Sequence, residues 1–235
     1  GKTFMYKLNL ENAYDTEAFE KYKEYYSECF REANISEEEE KEIAFGYRIK
    51  SVTYIIPQKG YELYAYKQYL YDAKGEEACT WFVYDTHDFL NFSDVFMHSD
   101  GEKYFIYKEC LYGYSVLRLS DLKSLHYVPY GQVSENEPMQ QIGESFIMTD
   151  FYYNNEADMI AANGCFWAAP VDVVVIDFKQ PLAEPQKMIT CHKLIDPNYE
   201  NDDLEDVEFK HWDKDELIVQ TGNGQEFRFS GKDLK

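Results

Sequence analysis

Along most of this chain apolar and polar residues alternate in short runs separated by turn residues. Residues 3–9 (TFMYKLN) place Phe4, Tyr6 and Leu8 on one side and Thr3, Met5 and Lys7 on the other, which predicts a strand. The period then changes. Phe19, Tyr22, Tyr26, Cys29 and Phe30 recur at helical spacing over residues 15–34, with Asp15 or Thr16 suited to cap the first turn. Ser36 followed by Glu39 reads as a capping box and predicts a second short helix through EEEEKEI. Acid at a helix start also suits the dipole, so Glu37–Glu40 reads first as a solvated, capped helix start. The sharper reading of that run is a docking site for a basic partner.

From residue 44 onward the helical period disappears and short apolar strands follow one another. A turn and a following strand recur. QKG precedes YELYAY, and SDG precedes KYFIYK. The loop Tyr152 to Glu156 precedes DMIAA, and Asp213-Lys214-Asp215 precedes ELIVQ. These steps divide the chain at about 49–92, 93–129, 144–193 and 206–235, with insertions at 130–143 and 194–205. VVVIDF is nearly continuous in apolar residues and belongs inside a sheet. The last unit lacks a clear fourth strand, which TFMYKLN can supply to close a ring. The expected fold is all-β: a small β-propeller-like ring of about four blades, with an N-terminal strand and helical segment over 1–43 and the repeat domain over 44–235. The alternative is a pair of packed twisted sheets with the helices covering an exposed edge.

HSDGEKYFIY followed by GYSVLRLSD resembles the hairpin and next strand of WD40-like and TolB-like β-propeller blades. NNEADMIAANG and VDVVVIDF match the same two steps in a longer form. The resemblance spans about residues 49–235, without the Gly-His opening and Trp-Asp closing pairs of WD40 blades. It implies four-stranded blades around a central channel, used to bind proteins or peptides. It transfers no catalytic residue, because the matched positions are turn and core residues.

Charge narrows the partners. The 44 Asp and Glu residues outnumber the 23 Lys and Arg, a formal net charge of -21. Such a surface repels phosphate backbones and anionic membrane faces, so neither nucleic acid nor membrane is an expected partner. A basic protein or peptide fits better. The 22 Tyr and 16 Phe suit sheets that are packed on one side and wet on the other. Five cysteines at wide spacings, with no CxxC pair, predict reduced and mostly buried thiols in a cytoplasmic setting.

Candidate chemistry is sparse. His98 and His211 each lie two residues before a turn Asp, at what the repeat makes one structural position. In a four-bladed ring both would face one channel mouth, where Asp150 would complete a set of divalent-metal ligands. The plainer reading gives each His a turn-capping or niche-filling role, and no cofactor is expected. His87, between Asp85 and Asp88, reads as a structural turn, and Cys165, beside Phe166 and Trp167, as core. Trp167 and Trp212 are candidate binding aromatics, with blade packing as the competing explanation. Phosphate loops, nucleophile elbows, HExxH and EF-hand loops are absent from the sequence. The expected function is a non-enzymatic module that binds a protein or peptide through an acidic, Tyr-rich face, in an inhibitory or immunity-type role. The alternative is a carbohydrate-binding protein or metal-dependent hydrolase, with Tyr54, His98, Asp150 and His211 around the channel mouth.

Overall fold

Alternation turns directly into sheets here. The computed structural model describes residues 34–58, 60–84, 92–109, 113–127, 146–166, 168–185 and 188–235. The expected strand at 3–9 and the helix from residue 15 lie outside the described residues, except Asn34, which already belongs to a strand.

The first sheet contains β1 (Asn34–Glu42), β2 (Arg48–Gln58), β3 (Tyr61–Tyr71) and β4 (Glu77–Tyr84). The second contains β5 (Ser93–Met97), β6 (Lys103–Tyr107), β7 (Tyr114–Arg118) and β8 (Ser124–Tyr127). The third contains β9 (Ile147–Asn154), β10 (Met159–Cys165), β11 (Asp172–Asp177) and β12 (Met188–Thr190), followed by the one-turn helix α1 (Cys191–Ile195). The fourth contains β13 (Val207–Asp213), β14 (Glu216–Thr221) and β15 (Glu226–Phe229). All pairs are antiparallel, and strand order within each sheet follows the chain. The expected all-β class and the interior place of VVVIDF, in β11, are both observed.

Successive sheets pack face to face through three apolar cores. Ile49, Leu70, Trp81 and Val83 of the first sheet meet Val95, Phe105 and Leu117 of the second. Tyr104, Ile106 and Val116 of the second meet Ile160, Ala162, Val174 and Ile176 of the third. Met159, Ala161, Val173 and Val175 of the third meet Val207, Leu217 and Val219 of the fourth. Neighbouring residues on one strand therefore enter different cores, because a strand's side chains alternate between its two faces. Phe105 faces the first sheet while Tyr104 and Ile106 face the third.

The helix expected from the Ser36–Glu39 capping box is corrected. These residues form β1, which pairs with β2 from Asn34↔Ile55 to Glu42↔Arg48 around a bulge between Ile35 and Glu37. A helix through EEEEKEI would be polar nearly all round and bury almost nothing. As a strand, the same acids find bases diagonally across the ladder: Glu40 pairs with Arg48 at 3.3 Å and Glu38 with Lys50 at 3.7 Å. The first sheet thus begins at Asn34, ahead of the residue-44 boundary that the helix reading had suggested.

Candidate functional site: a polar groove on the first sheet

One register row crosses the first sheet from water to core. Glu39 of β1 lies opposite Ser51 of β2, Ser51 opposite Gln68 of β3, and Gln68 opposite Trp81 of β4. At the inner end Trp81 is buried, with its ring 5.0 Å from both Phe105 and Tyr107 of the second sheet. At the outer end Glu39 is exposed. Where the second sheet stops covering the first, a groove of about 410 Å3 opens. Glu39, Glu40, Lys41, Ser51 and Gln68 line it together with Ile49 and with Ser93 from β5.

Gln68 is the unusual member. Only 3% of its surface is exposed, yet its neighbours along the inner face of β3, Tyr66 and Leu70, are core residues. Its Nε2 donates to Ser51 Oγ at 3.3 Å, and its Oε1 accepts no hydrogen bond among the described residues. Leaving a buried acceptor unsatisfied costs about 1–3 kcal/mol. A leucine or methionine at this position would avoid that cost, so the carboxamide marks a place where the fold retains a polar atom beside an open groove. The opposite face of the sheet is ordinary by comparison. There the Tyr69 and Tyr71 rings stack at 6.4 Å, with the cations of Arg48, Lys50 and Lys67 5.2–5.9 Å from their centroids.

The residues expected at a shared channel mouth are spread over different parts of the molecule. His98 is buried between the second and third sheets, and both ring nitrogens are engaged. Its Nδ1 accepts the Asp100 N–H at 3.1 Å, which puts the ring proton on Nε2, where it is donated to Phe178 O at 2.7 Å. The ring stacks on Tyr153 and meets Tyr104 edge-on. Around it Tyr104 donates to Asp100 at 2.7 Å, and Tyr153 and Ser99 both donate to Asp158. Desolvation pushes the Asp100 carboxyl up, but the bonds from Tyr104 and the Glu102 N–H, with His98 beside it, outweigh that and hold it below its ordinary value. The whole network joins two sheets.

His211 is exposed on β13 at a bulge, two residues before the strand ends, whereas His98 lies one residue beyond the end of β5. The two do not occupy equivalent places, because the β5–β6 connection runs through Ser99-Asp100-Gly101 while β13 and β14 close on Lys214-Asp215 alone. Asp150 is exposed on β9 opposite Asn163. Tyr54 is half-buried on β2, on the face opposite Ser51. Trp212 is half-buried and donates its indole N–H to Tyr152 O at 3.0 Å, tying the fourth sheet to the third. Trp167, His87, Asp85 and Asp88 lie outside the described residues. Among the described residues no group of three or more His, Cys, Asp and Glu is placed to hold a metal ion.

The described thiols are free; Cys191 is buried, Cys79 and Cys165 half-buried. Burial, then Glu109 and Glu77, push the Cys79 thiol up to about 12, which keeps it protonated and unreactive at neutral pH. A buried Ser115 contacts both His126 Nδ1, at 2.8 Å, and Glu109 Oε2, at 2.5 Å. The carboxylate and the hydroxyl meet the same imidazole nitrogen, 3.2 Å from Glu109, so the relay of a nucleophilic triad is not formed.

No protein-family model matches this chain. No curated protein matches it either. Among solved structures it is similar to an acylaminoacyl peptidase from Pyrococcus horikoshii, with 11% identity and a TM-score of 0.36. The match covers 84% of this chain and 32% of the peptidase chain, so this chain spans about a third of that protein. No helix among the described residues is long and apolar enough to cross a membrane.

Proposed function

We propose that this chain is a non-enzymatic binding module for a basic protein or peptide, built on blades of the WD40-like or TolB-like kind. The observation that carries this reading is the first sheet's acidic edge. Glu37 to Glu42 lie exposed along β1 beside a groove that retains a buried, unsatisfied acceptor. The net charge of -21 adds a long-range field that speeds encounter with a cationic partner and orients it. An inhibitory or immunity-type role, in which the acidic face covers a basic target, is the specific form of this function. Ring closure through the N-terminal segment belongs to the same proposal.

The test is titration calorimetry with Lys- and Arg-rich peptides and with neutral peptides of the same length, at low and high salt. The expected result is binding of the basic peptides alone, weakening steeply as salt rises. Salt-insensitive binding of neutral peptides, or no binding of basic ones at low salt, would overturn the proposal.

A further inference from the structure

What enters the groove follows from its chemistry, taking the binding reading above as the premise. Glu39 and Gln68 stand in the same row with only Ser51 between them, so a carboxylate and a carboxamide whose buried oxygen is unsatisfied line one groove. Gln68 commits its N–H side to Ser51 and leaves its acceptor without a donor. The apolar Ile49 is 2% exposed and also lines the groove. Among the described residues Lys41 is the only cation on the lining and lies two residues from Glu39 on the same face of β1, opposite Ile49, while Glu40 is paired with Arg48. It leaves the Glu39 end for one further positive group and disfavours a second.

The geometry points to a socket for one cationic side-chain head of the basic partner, a lysine ammonium or an arginine guanidinium, held by the Glu39 carboxylate and Gln68 Oε1. Both heads carry donors and no acceptor, which suits an acceptor pair. Either side chain also has a methylene stem able to lie along Ile49. An anion would meet Glu39 head-on, and a neutral hydroxyl would leave the carboxylate uncompensated.

The experiment uses the full chain, labelled with nitrogen-15. The Gln68 side-chain amide resonance is assigned by its loss in Gln68→Met and followed during titration with butylammonium, butylguanidinium and butanol, and separately with alternating Lys-Gly and Arg-Gly peptides. The socket predicts a saturable shift of that resonance with one or both cations and none with butanol. It also predicts that Glu39→Gln and Gln68→Met each weaken peptide binding by about tenfold, as expected for loss of a charge-assisted bond. Glu205→Gln, an exposed acid outside the groove, should change binding little. Glu39 is exposed, so its variant reports even if Gln68→Met folds poorly.

Peptide binding without a Gln68 shift, and with wild-type affinity in Glu39→Gln, would overturn the socket and leave the binding module standing. Equal shifts with butanol would make the groove a general polar site and overturn the cation preference. Absence of peptide binding at low salt would remove both proposals together.

Discussion

The third sheet and the first are written in the same alternating pattern, yet they end in opposite situations. In β10 and β11 both sets of alternate residues are buried: Ile160 and Ala162 face the second sheet, Met159 and Ala161 the fourth. In the first sheet, among the described residues, one apolar core is seen, on the face turned to the second sheet. The other face carries Lys, Arg, Glu and Tyr in cross-strand pairs, and its edge strand β1 is a run of acids. A layer with neighbours on both sides has little room for an extra methyl group, as the tight surroundings of Gly164 show. The groove lies beside the acidic strand of the first sheet.

Substitutions can break that comparison. The largest effect is expected for Phe105→Ala, which empties the core between the first and second sheets and should cost about 3–5 kcal/mol in denaturant unfolding. Gly164→Ala should cost about 3 kcal/mol or somewhat less. Its new Cβ would lie 1.9 Å from Ile147 O and 2.7 Å from Phe146 Cε1 in the third sheet, where the backbone of β9 cannot yield cheaply. Lys50→Ala on the exposed face of the first sheet should cost less than about 1 kcal/mol, because its ion pair with Glu38 is solvated. If Lys50→Ala destabilised the chain as much as Gly164→Ala, the distinction between the doubly packed third sheet and the solvated face of the first would be lost.

The smallest effects are in pH, and they have opposite signs. Asp100 at the joint of the second and third sheets has a lowered pKa. It therefore stabilises the fold above the ordinary carboxylate range, and that stability is lost as pH falls through its folded value. Asp100→Asn should flatten the acid limb of the stability curve. In the third sheet, burial raises the Asp172 pKa against the pull of the His192 and Val173 N–H groups. Ionising it costs stability as pH rises from the ordinary carboxylate range through the raised value. Asp172→Asn, which keeps an acceptor for both N–H groups, should remove that slope. Finding the same sign of pH dependence for both positions would contradict the burial difference.

Most of the sheet content was legible in the alternation, because a strand half-buried on one face must alternate whatever it packs against. The interior place of VVVIDF followed from its unbroken apolar run. The acidic stretch misled because Ser36 and Glu39 satisfy a local helix rule, while the bases that answer its acids, Arg48 and Lys50, come from the next strand. His98 and His211 misled for a related reason. Spacing to a turn Asp says nothing of how many residues the turn itself takes, and that number set one ring between two sheets and the other in water. Gln68 carried no sequence signal. Among YELYAYKQYLY it reads as one more polar position, on either face of a strand.

By itself the sequence determined the all-β class, the turns and the strongly negative field, since each depends on local pattern or on a sum over residues. Only the tertiary structure decided which face of each strand is covered, that the acidic run is a strand, and that Glu39 and Gln68 share a groove. Those depend on registers between strands distant in the chain, and a shift of one residue in any of them would send the same side chain to the opposite face.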